Sequence, residues 1–70
     1  MKAFVQVEVY KDLNLIGFVN SFGVVSEGLF VSPETVELVK SKAFEIDGIV
    51  IENGIEEVIF KDGSTHHINW

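Results

Sequence analysis

Two dipeptides, Asn53–Gly54 and Asp62–Gly63, constrain this chain more than any other feature. Both tolerate positive φ, and each separates apolar runs of strand length, so both read as tight hairpin turns. They divide the C-terminal part into three consecutive strands, expected at about Phe44–Glu52, Ile55–Phe60 and Thr65–Trp70. A chain committed to such a meander must build a sheet and must cover at least one face of it.

The N-terminal part adds strands. From Phe4 to Tyr10 the pattern alternates, with Val5, Val7 and Val9 on one side and Phe4, Gln6, Glu8 and Tyr10 on the other, the mark of a strand with one buried face. Lys11–Asp12 suits a turn. A second strand is expected from about Leu13 to Val19, a break at Asn20–Ser21, and a third strand from Phe22 to Ser26. The echo of YKDLN (10–14) in FKDGS (60–64) reflects shared turn chemistry rather than duplication.

SPET at 32–35 reads as a helix start. Ser32 can cap free amides, Pro33 suits the first helical position, and Glu34 favours the positive end of the helix dipole. Val36, Val39 and Ala43 then share a face to about Lys42, although the valines and threonine also favour a strand. With no linker or low-complexity tract, residues 1–70 read as one compact domain. The expected fold is mainly β (α+β): a small five- to six-stranded antiparallel barrel or curled sheet with one short helix and a C-terminal three-stranded meander.

At 70 residues, such a fold buries only about 60% of the surface its unfolded chain exposes. No cysteine is present, which excludes disulfide staples and a thiolate zinc site. The opening MKAFVQVEVY carries Gln6 and Glu8 inside its apolar region and is not expected to act as a secretory signal. The longest uncharged stretch, Leu13 to Ser26, holds two asparagines and two serines and is shorter than the ~20 apolar residues of a spanning helix. A cytoplasmic location is expected.

Catalytic and metal-binding patterns are weak. His66 and His67 are neighbours on an expected strand, so they point to opposite faces and cannot share one ion in regular geometry. If Lys61–Asp62–Gly63 forms a three-residue loop, Val58 pairs with His66 and Glu57 with His67; a two-residue loop shifts this by one. There is no H-E-x-x-H motif, no serine in a G-x-S-x-G elbow, and the glycines of GFVNSFGVVSEG (17–28) lack the lysine of a phosphate loop. The chain is expected to have no enzymatic activity, cofactor or metal.

Charge is the more informative feature. Eleven acids against five lysines and no arginine give a net charge of −6, which disfavours direct contact with nucleic-acid phosphates. Glu45, Asp47, Glu52, Glu56 and Glu57 lie between Ala43 and Phe60 with no basic residue among them. If Glu52–Asn53–Gly54 is the loop, Ile49, Ile51, Ile55 and Ile59 share one side of this hairpin. Ile46, Val50, Val58 and Phe60 then share the other. A sheet this small buries one face in its own core, so the second apolar face needs another layer or another chain.

These five acids, together with the aromatic residues Tyr10 and Trp70, are the expected partner-binding set. The expected role is a small acidic, non-enzymatic protein-binding module. Chains of this composition suit viral or mobile-element inhibitors that occupy a basic, nucleic-acid-type surface of a host protein. One alternative is a self-assembling module, a homodimer or small ring formed through the surplus apolar face. The other is a small-ligand domain using the histidines with Asn20 or Asn69. No membrane association is expected.

Overall fold

A computed structural model describes residues 3–69. Its elements in chain order are β1 (Gln6–Lys11), β2 (Asn14–Asn20), α1 (Pro33–Lys42), a 3-10 turn (Ala43–Glu45), β3 (Ile46–Glu52), β4 (Ile55–Phe60) and β5 (Thr65–Asn69). The strands form one sheet in the order β2-β1-β3-β4-β5. Among the described residues the protein is thus mainly β, with five strands, one short helix and the C-terminal meander, but the sheet is open rather than a barrel. Nor is it wholly antiparallel. β1 and β3 run parallel, with Val9 opposite Ile49, because α1 carries the chain back across the sheet between them.

The segment expected as a third strand, Phe22 to Ser26, makes only a single bridge, Val25 to Val19. It turns instead. The Asn20 side-chain oxygen accepts from the amides of Phe22 and Val24, and Gly23 takes a left-handed φ of 89° that fits glycine. Beyond it, Val31 enters the core and Ser32 caps α1. The Ser32 Oγ accepts from the Thr35 amide at 3.2 Å and Pro33 occupies the first turn. Capping settles the helix against the valines' strand preference, since Thr35 and Val39 bury the face that meets the sheet.

Both hairpins of the meander form, with different loops. Phe60 donates its amide to Ser64 O and Gly63 to Phe60 O, a three-residue turn that pairs Val58 with His66 and Glu57 with His67. The first loop has two residues, not three. Asn53 and Gly54 both have positive φ, 50° and 78°, and Glu52 pairs directly with Ile55. This single-residue difference exchanges the faces of β4. Ile49, Ile51, Glu56, Val58 and Phe60 face the helix, and Val50, Ile55, Glu57 and Ile59 face away, so the expected grouping of Ile49 and Ile51 with Ile55 and Ile59 does not hold.

The core lies between the sheet and α1. Val7, Val9, Val19, Ile46, Ile49 and Val58 from the strands meet Val31, Val39 and Ala43 from the helix side. Gly17 allows close packing there: a Cβ would stand 2.9 Å from Leu29 Cδ2 and 3.1 Å from Ser26 Cβ. One polar group joins this layer. Glu56 is fully buried, and its carboxyl oxygens accept from the Ser32 amide at 3.0 and 3.3 Å and from the Ser32 hydroxyl at 3.1 Å.

Candidate interaction face

Among the described residues no helix or second sheet covers the face of the sheet opposite α1. Period-2 alternation dictates what that face carries. A row crosses all five strands through paired positions: Leu15, Tyr10, Val50, Glu57 and His67. Phe18 stands opposite Glu8 on one side of the row, and Ile59 opposite Thr65 on the other. Tyr10, Phe18, Val50, Glu57 and Ile59 are half-buried, and Glu8, Asp47, Glu52, Ile55 and His67 are exposed. At the Asn53–Gly54 end, Val50, Glu52, Ile55, Glu57 and His67 line a shallow depression of about 230 Å³.

Acids and polar hydrogen bonds set the character of this face. The Tyr10 hydroxyl donates to Glu8 Oε1 at 2.8 Å. That hydrogen bond, then partial loss of hydration, then the negative charges of Glu8 and Asp47 raise the phenol above its ordinary value of 10.0. His67 Nε2 lies 2.6 Å from Glu57 Oε2 across β4 and β5. No described lysine balances these acids on the face. Lys11 closes β1 in register with Ile51, Lys40 and Lys42 belong to α1, and Lys61 sits in the β4–β5 turn.

The structure divides the acids expected to meet a partner. Glu52 and Glu57 lie on the open face, as does Tyr10, and Asp47 sits in the β3 bulge close enough to act on the Tyr10 phenol. Glu56 does not belong with them. The two-residue loop turns it inward, where it is wholly removed from solvent and occupied by Ser32. Glu45 is exposed at the far end of β3, in the 3-10 turn, beside a pocket of about 410 Å³ lined by Lys42, Phe44, Phe60, Lys61, Asp62 and Ser64. Trp70 lies outside the described residues.

The face also holds members not singled out beforehand: Glu8, Phe18, Val50 and His67. The alternation around Glu8 and Tyr10 already put those two on one side. The parallel pairing that brings Val50 against Tyr10 has no local signal.

The histidines separate as strand geometry requires. His66 faces the helix and pairs with Glu34 in the first turn of α1, while His67 pairs with Glu57 on the opposite face. Asn20 ends β2 and its side chain is held by the turn that follows, distant in the sheet order from Asn69 at the end of β5. No group of three or more histidine and acidic residues among those described is arranged to hold a metal ion. No described helix is long and apolar enough to cross a membrane. Comparison with family models, curated proteins and solved structures finds no match to this chain.

Proposed function

We propose that the protein is a non-enzymatic binding module that docks its open sheet face on a basic, partly apolar surface of another protein. One observation carries this reading: among the described residues, half-buried Tyr10, Phe18, Val50 and Ile59 lie uncovered, rimmed by Glu8, Asp47, Glu52 and Glu57 without a lysine. The apolar centre supplies burial and the carboxylates exclude acidic partners and steer basic ones. The nucleic-acid groove of an enzyme has the complementary chemistry, and a module seated there would inhibit by occupying it.

The test compares capture from lysate of the protein's own cells by the wild type and by a Glu52→Lys, Glu57→Lys variant. Partners retained by the wild type, released as salt rises and lost by the variant are the expected result. Far-ultraviolet circular dichroism verifies that the variant is folded. Partners held equally by both proteins would overturn the reading.

A further inference from the structure

The outer edge of β2 is a second surface, which borders the open face at Leu15. The segment after β2 covers only part of it: the Asn20 amide donates to Val24 O, Ser26 donates to Phe18 O, and the Phe18 amide donates to Ser26 Oγ. No backbone hydrogen bond from another described element reaches the outer edge of Asn14–Gly17. Leu15 and Ile16 are 47% and 41% exposed there, and Leu13 at the hairpin tip is 97% exposed. Edge strands are ordinarily guarded by lysine, proline, an inward charge or a bulge. Leu13 to Ser26 has no charge or proline, and the bulge that leaves Ile16 unpaired with β1 is the one such device here.

We propose that this edge pairs antiparallel with the same edge of a second copy, about a two-fold axis normal to the sheet. Charge selects the occupant. In a chain of net charge −6, Leu13–Ser26 is the longest uncharged stretch, so two copies meeting there bring none of its side chains into like-charge contact, and it offers no carboxylate to a basic partner. Such a contact is self-complementary and closes at two. The five strands of each copy would join one continuous sheet, both helices lying on one side and both acidic faces on the other.

Sedimentation velocity of the full chain at about 100 µM tests this, because self-association follows mass action. The expected species has about twice the mass of the 7.8 kDa chain. It persists at about 0.5 M salt, where charge-steered contacts are screened. Ile16→Lys, an edge charge on a residue unpaired with β1, should weaken the dimer about tenfold or more. Glu57→Lys, on the acidic face, should leave it intact. A monomer at that concentration, a larger ring, or a dimer indifferent to both Ile16→Lys and Leu15→Lys would overturn the inference. None of these results depends on whether the acidic face has a partner.

Discussion

Glu56 of β4 and Ser32 before α1 form the polar joint between sheet and helix: both carboxyl oxygens accept from the Ser32 amide, and one also accepts from its hydroxyl. The same hydroxyl oxygen accepts from the Thr35 amide. The residue that starts the helix is thereby fastened to the strand beneath it. Every described buried side-chain polar atom has a partner.

Breaking this joint leaves the buried Ser32 amide without its acceptor, while the Ser32 hydroxyl keeps Thr35 as its partner. Glu56→Ala is expected to destabilise the fold by about 2–4 kcal/mol, the sum of an unsatisfied donor and a lost large side chain. Glu56→Gln, which keeps one acceptor oxygen, should cost less. Urea unfolding of Glu56→Ala, Ser32→Ala and the double variant measures it, and strong non-additivity is the expected outcome. Additive losses would show that the two side chains act separately.

The β1–β2 turn stores strain that can be released. Asp12 and Leu13 both take left-handed φ, 52° and 66°, and Leu13 buries almost nothing. Leu13→Gly should therefore raise stability by about 1 kcal/mol, read as a higher urea midpoint. An unchanged or lower midpoint would mean that the leucine makes contacts offsetting its backbone cost.

Tyr10 is the single tyrosine, so its phenolate absorbance can be followed directly. Its midpoint is expected above 10.0, and Glu8→Gln should move it down by removing the nearby charge. A raised value favours the neutral phenol in the fold. The associated stability is fully present below the ordinary tyrosine value and is lost as pH rises through the raised one.

Asp62 shifts the other way. The Ser64 hydroxyl and amide donate to Oδ1 at 2.6 and 2.9 Å, holding the carboxyl below its ordinary value of 3.8. Its contribution is present above 3.8 and is lost as pH falls through the lower folded value. Carboxyl NMR titration should show that low midpoint, and Ser64→Ala should move it up. A midpoint indifferent to Ser64→Ala would deny the hydroxyl its role.

The exposed histidine–carboxylate contacts should matter little. His66 with Glu34 and His67 with Glu57 are both well hydrated, so each pair is expected to couple by less than about 1 kcal/mol in a double-mutant cycle.

Local chemistry was legible wherever it acts over a few residues. Ser32–Pro33 marks the helix start, Asn53–Gly54 and Asp62–Gly63 mark the turns, and the Val5–Val7–Val9 alternation marks β1. Two things depend on longer range. The loop at Asn53–Gly54 has two residues rather than three, and one residue of register decides whether Glu56 or Glu57 faces solvent. Glycine and asparagine permit either loop, so the choice falls to the core, which takes Val58 and leaves Glu56 to be satisfied by Ser32. The other is the Tyr10–Val50 adjacency that assembles the open face, set by where α1 delivers the chain.

That parallel seam also orders the events by which the protein forms. β1 with β2, and β3 through β5, are hairpin units whose partners lie close in sequence. Val9 and Ile49 stand forty positions apart and meet only across the seam. Closing that long loop carries the chain-entropy cost before its contacts form. Folding should therefore be limited by the zipping of two nearly independent ribbons. Substitutions at Val9 or Ile49 should slow folding, while those at the turn tips should chiefly change the rate of coming apart.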